Sequence, residues 1–351
     1  MRCAVVAMLS LCGCSRPAPE AISAAQWPEA DALFHREPRW LGADAAFSIP
    51  LGDGRIFWLF GDTFVATSPA NVRSQSKLVR NTVAVQTGAD PLTAAIRFHW
   101  RGAADAPSSY FPESGDRWFW PEHGVRIGQA LVVFLSRIKP VTGGLGFEAE
   151  GWTLAIVDDA TGSADGWAWR FVAPTAAPAG LVPGQAVNVV GDHIVALAQR
   201  EPGDHAGFLV RWTPEALAAG RVDEAQWWSD GKWSQGAPSL VLTNAGPESS
   251  LHHDSRLDRW LHVRSDGFGA TTIVLSSAPA IEGPWAAPTT IFTPPESSQP
   301  KAFVYAAKGH PELEGADLVV TYATNTLGDF AGLVADPALY FPRFVKVTLR
   351  R

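Results

Sequence analysis

The sequence predicts an all-β protein, a five-bladed β-propeller forming a single domain, and three observations carry that expectation. First, 32 glycines, 27 prolines and 15 tryptophans in 351 residues fit many short strands joined by turns, with large aromatics filling sheet-on-sheet cores. Second, almost nothing after Trp40 has helical period; the exception is 213–219, where Thr213-Pro214-Glu215 reads as a cap and first turn. Third, segments of roughly fifty to sixty residues recur about five times, each opening on a polar-tipped strand, continuing in a hairpin and ending in an aromatic-rich strand. Four-stranded units repeated around an axis are propeller blades. A β-sandwich would need long loops to absorb the same length.

At the N-terminus, Arg2 followed by the apolar run Ala4 to Leu11 has the order of a secretory signal. Leu11-Cys12-Gly13-Cys14 resembles the bacterial lipobox. The expectation is a signal peptide over 1–13, lipidation at Cys14, a tether over 14–38 marked by Pro17, Pro19 and Pro28, and the propeller over 39–351. Such a chain is an exported lipoprotein of the cell envelope, at the outer membrane or cell surface. All three cysteines, Cys3, Cys12 and Cys14, lie in the leading segment, so neither a disulfide framework nor a cysteine-ligated zinc is available to the domain.

The first blade, Trp40 to Trp100, is organised by Trp40–Val65. Two apolar runs flank Gly52-Asp53-Gly54, the turn that lets antiparallel strands pair. Asp44 and Asp62 sit nine residues either side of Asp53, so the hairpin brings two carboxylates side by side at its open end. The same spacing equally fits Asp62 as a turn residue and Asp44 as a strand cap. The second blade opens at Trp118-Phe-Trp-Pro-Glu-His123 and closes around Trp169; the third opens near Gln185; the fourth opens at Glu248 and contains His252-His253-Asp254 and Trp285. The fifth opens at Phe303, passes Lys308 and His310, and ends in the terminal strand 344–349. Trp100, Trp169 and Trp285 are expected on outer strands or seams between blades.

A formal charge of -7 without a Lys/Arg cluster excludes an electrostatic nucleic-acid binder and leaves membrane contact to the lipid alone. Inner strands of a propeller start around one channel, so their polar tips meet although distant in sequence. Carboxylates from different blades facing one groove are what glycosidic cleavage needs: one protonated to protonate the leaving oxygen, one ionised to activate water or attack the anomeric carbon. Asp44, Asp62 and Glu122 are the expected catalytic set. Trp118, Trp120, His123, Asn188, Glu248, His252, His310 and Arg343 are expected to bind substrate, the tryptophans by stacking on sugar rings. Each acidic tip alone equally fits a strand cap or rim charge. No metal or cofactor is expected, because adjacent His252 and His253 on a strand point to opposite faces. No Gly-x-Ser-x-Gly elbow, phosphate loop or dinucleotide fingerprint is present.

Gly42-Ala-Asp44-Ala-Ala-Phe-Ser48, Leu51-Gly-Asp-Gly54 and Trp58-Leu-Phe-Gly-Asp-Thr63 resemble the opening of the bacterial domain-of-unknown-function family 4185. Trp120 to Gly124, His310 to Glu312 and Tyr340-Phe-Pro-Arg343 also look like positions of that family. The resemblance implies a five-bladed propeller of a group that includes endo-D-arabinanases, with Asp44, Asp62 and Glu122 at the matching acidic positions. The expected activity is hydrolysis of a furanose-containing polysaccharide by a monomer. The alternative is a non-catalytic carbohydrate-binding propeller of the envelope.

Overall fold

The computed structural model describes residues 20–112, 114–176, 178–267, 269, 271–300, 302–326 and 328–350. Cys14 and the expected signal segment lie outside them. Five sheets of four or five strands follow one another around an axis, giving a five-bladed β-propeller. Their inner strands are Trp40–Gly52, Trp118–Ile127, Leu181–Val190, Ser249–Asp254 and Ala302–Gly309. Each inner strand packs beside the next, and the fifth returns to the first.

The blades form because each strand buries both of its faces. Along Ala130–Pro140, Leu131, Val133 and Leu135 pack into the seam between the first two blades, while Val132 and Phe134 pack into the seam between the second and third. That is the period of two expected of a pleated strand. Every seam has its own apolar cluster, each fully buried Val, Leu or Phe stabilising the fold by roughly 1.5–3 kcal/mol. Trp100, Trp169 and Trp285 pack against three of these clusters. The helix foreseen near 213 is present as Pro214–Ala218, with Thr213 accepting from the Ala216 amide at 3.2 Å.

One boundary is corrected. Residues 20–38, expected as tether, belong to the propeller. Glu20–Gln26 pairs antiparallel with Arg343–Arg350 as the outermost strand of the fifth blade. The short helix Pro28–Asp31 and the turn Ala32–His35 then carry Trp27, Leu33 and Phe34 into the seam that closes the ring. The alanine- and proline-rich composition hid a strand because it sits at a sheet edge, where few side chains need to be large. Among the described residues no helix is long and apolar enough to cross a membrane.

Candidate active site

The hairpin of the first blade turns at Asp53 and Gly54, both in the left-handed region at φ 52° and 68°, as a two-residue turn matched to strand twist requires. Ala45 pairs with Phe60 and Ala43 with Thr63, leaving Asp44 opposite a bulge at Gly61 and Asp62. The two carboxylates therefore lie together. A Cβ on Gly61 would stand 2.4 Å from Asp44 Oδ1, so only glycine lets this carboxylate take its place.

Bulges recur at this height in four of the five inner strands. They fall at Asp44–Ala46, at Glu122–His123, between Pro183 and Ala186, and between Tyr305 and Lys308. A bulge re-aims side chains that a regular strand would send into the seams. Ala45, Ala46 and Ala306 hold positive φ beside Asp44 and Tyr305, a strained conformation for non-glycine residues that the surrounding packing enforces.

The side chains so aimed form one acidic cluster. Asp44 Oδ2 accepts from Tyr305 Oη at 2.6 Å and Tyr340 Oη at 3.1 Å. Burial, then the charges of Glu248 and Asp62, push its carboxyl up to about 8 against the two tyrosine hydrogen bonds. Asp62 is fixed by Arg80 at 3.1 Å and by the Trp120 indole N–H at 2.9 Å. Glu122 is enclosed: Ser136 donates to Oε1 at 2.6 Å and Gln185 to Oε2 at 2.8 Å. Burial pushes it, too, up to about 8, with the Glu248 charge adding to the rise. Glu248 precedes the inner strand of the fourth blade and pairs with Lys308 at 3.0 Å. The ammonium of Lys308, itself buried, also donates to the carbonyls of Ala45 and Ala306 and sits 4.3 Å from the Phe47 ring. Tyr305 and Tyr340 are held well above the usual phenol range, first by burial and next by the Asp44 charge.

Several residues expected here stand elsewhere. His123, Asn188, His252 and His310 line a separate cavity toward the opposite end of the channel. His123 is turned there by the bulge it shares with Glu122, Asn188 and His310 follow the bulges of their strands, and His252 lies further along a regular strand that Glu248 precedes. Burial depresses His123 and His252 to about 4 and holds His310 well below the usual imidazole range. Arg343 pairs with Asp31 at 3.2 Å and donates to the Ala338 carbonyl. From the Tyr340–Arg343 motif it is Tyr340 that reaches Asp44. Trp118 is buried, with the Arg80 guanidinium 4.2 Å from its ring centroid. Trp120 is half-buried beside it and reaches Asp62. Tyr340 is visible in the sequence only as part of the Tyr340-Phe-Pro-Arg343 motif; Gln185, Tyr305, Arg80 and Ser136 are not marked there as site residues, since the partners of an acid have no motif spacing. Among the described residues no cluster of His, Cys, Asp and Glu is arranged to hold a metal ion.

Residues 29–166, the first blade and most of the second, match the family model "Domain of unknown function (DUF5005)", which bears a different number from the family the motifs resemble. No curated protein matches the chain. Among solved structures, a "putative hydrolase" from Bacteroides ovatus ATCC 8483 superposes with a TM-score of 0.70 at 18% identity, covering 92% of this chain and 90% of that one. The catalytic domain of the Coprinopsis cinerea GH62 alpha-L-arabinofuranosidase superposes with a TM-score of 0.51 at 10% identity, covering 90% and 93%. The chain is thus similar in fold to glycoside hydrolase propellers.

Proposed function

We propose that the protein hydrolyses a glycosidic bond in a furanose-containing polysaccharide, with D-arabinan the leading substrate. The observation that carries this reading is the convergence of Asp44, Asp62, Glu122 and Glu248 from three blades. Asp44, pushed up to about 8, holds a proton near neutrality and delivers it to the departing oxygen. Glu248 and Asp62, each paired with a cation, supply the carboxylate that activates water or attacks the anomeric carbon. Glu122, both oxygens engaged, is the enclosed carboxyl that fixes Gln185 and Ser136 around the cluster. Half-buried Trp120 offers a ring at the rim for a sugar face, in line with the apolar faces of sugars. The similar GH62 arabinofuranosidase supports a pentofuranose as the sugar to try first.

The test is digestion of D-arabinan, L-arabinan and arabinoxylan with product analysis, for the parent and Asp44→Asn. Hydrolysis by the parent alone, with glycan binding kept in the variant, is the expected result. Binding without hydrolysis by either protein overturns the enzymatic reading in favour of a carbohydrate-binding propeller. On the same reading the chain is an exported envelope protein lipidated at Cys14, for which palmitate labelling lost in Cys14→Ser is the measurement.

A further inference from the structure

The cavity at the far end of the channel is not part of the acidic cluster. It has a volume of about 410 Å³, and none of Asp44, Asp62, Glu122, Glu248, Tyr305 or Tyr340 lines it. That size lies within the ~300–1,000 Å³ range of small-molecule sites. Gln185 and Lys308 form the partition, bonding Glu122 and Glu248 while also lining the cavity.

Four residues around it carry a buried side-chain atom with no hydrogen-bond partner among the described residues: Gln185 Oε1, Ser249 Oγ, His252 Nδ1 and Glu312 Oε1. An unmet buried polar group costs about 1–3 kcal/mol, so four around one cavity mark a place built to be satisfied by an occupant. His252 is itself 7% exposed. Its ring stays neutral because burial depresses it.

The chemistry of the lining selects the class of occupant. The Lys308 ammonium is committed to Glu248 and two carbonyls, and the Arg126 guanidinium of the lining donates through Nε to the Gly128 carbonyl. Burial pushes Glu312 up to about 7, so it is partly protonated at neutral pH, and the other polar groups of the interior are neutral donors and acceptors. Phe47, Val187 and Leu251 supply apolar wall. We infer that this cavity is a second ligand site, taking a neutral, polyhydroxylated molecule, a monosaccharide or short oligosaccharide, at the end of the channel opposite the acids. Hydroxyl groups donate and accept at once, which fits acceptors such as His252 and Gln185 alternating with donors such as Ser249.

The experiment is saturation-transfer NMR on the full chain with D-arabinose, L-arabinose, D-xylose, D-galactose and arabinobiose, repeated on His252→Phe, Val189→Trp and Asp44→Asn. Val189, 63% exposed at the cavity mouth, accepts a bulky ring without entering a core, so a folded blocked variant is at hand if His252→Phe misfolds. The expected result is binding of at least one of these sugars that weakens about tenfold or more (about 1.4 kcal/mol) in both cavity variants and persists in Asp44→Asn. Binding of none of them, binding unchanged in both cavity variants, or binding lost in Asp44→Asn overturns the inference, the last placing the sugar among the acids. A thermal shift by Ca²⁺ or Zn²⁺ that disappears in His252→Phe, with no sugar bound, overturns it in favour of a metal site. The readout is binding, so it stands or falls separately from the hydrolytic activity proposed above.

Discussion

The hydroxyl of Tyr340 donates to Asp44 Oδ2 at 3.1 Å, joining two residues 296 positions apart in the chain. Tyr305 reaches the same oxygen, leaving Oδ1 of Asp44 as the atom toward Gly61. Tyr340 holds a left-handed φ of 64°, and Gly42 lies so close that a Cβ there would be 2.3 Å from the Tyr340 carbonyl. The contact is thus fixed from both sides.

The tyrosine hydrogen bonds favour the ionised form of Asp44, so removing them raises its pKa. Asp44 acts as the proton donor in the proposed reaction, and activity falls as it deprotonates near pH 8. Tyr340→Phe and Tyr305→Phe should each move the alkaline limb of the kcat/KM profile to higher pH, while Asp44→Asn should cost about two or more orders of magnitude in rate without unfolding the protein. Profiles measured from pH 5 to 10 check both.

Glu122 is protonated in the fold at neutral pH because burial pushes it up to about 8, against roughly 4.3 in an unfolded chain. The folded state then binds more protons than the unfolded state between those values, so stability falls as pH rises through that window and levels off above it. Glu122→Gln removes the titration and keeps the size. Its stability relative to the parent should grow from pH 5 to pH 8 by on the order of a few kcal/mol, read by urea unfolding at several pH values. Gln185, whose Oε1 has no partner, can turn its amide to accept from the new group.

Arg73 is buried and donates to the carbonyls of Leu41, Leu333, Asp336 and Leu339. It ties the segment carrying Tyr340 to the first blade. Arg73→Ala leaves those carbonyls unmet at about 1–3 kcal/mol each where water cannot reach them. It should destabilise the fold by about 3 kcal/mol or more, expose 330–340 to proteolysis and shift the pH profile as Tyr340→Phe does. A variant that loses stability but keeps the parent profile contradicts the link to Asp44.

Trp27 caps the strand that completes the fifth blade and packs edge-on to Phe344 at 6.5 Å. A Cβ on Gly315 would meet its ring at 2.4 Å. Trp27→Ala should cost about 3–5 kcal/mol, and Gly315→Ala should also destabilise, since its φ of 100° is strained for alanine. Deleting 1–27 should prevent cooperative unfolding altogether, as seen by circular dichroism.

The sequence by itself determined the blades and the hairpin that pairs Asp44 with Asp62. Alternating apolar residues, glycine turns and recurrent aromatic strands are local signals, and each strand's two buried faces follow from them directly. It also marked Glu122 and Glu248 as strand tips, because inner strands of a ring must begin near one another. Tertiary structure alone decided which tips share an end of the channel. A bulge adds a residue without changing composition, so nothing in Glu122-His123 shows that the first turns to the acids and the second to the far cavity. The same limit hid Tyr305 and Gln185, and the partner that Tyr340 takes from within its motif, since the role of these neutral groups exists only through partners on other blades. It also hid the strand Glu20–Gln26, whose place is set by the edge of the last blade it completes rather than by any pattern of its own.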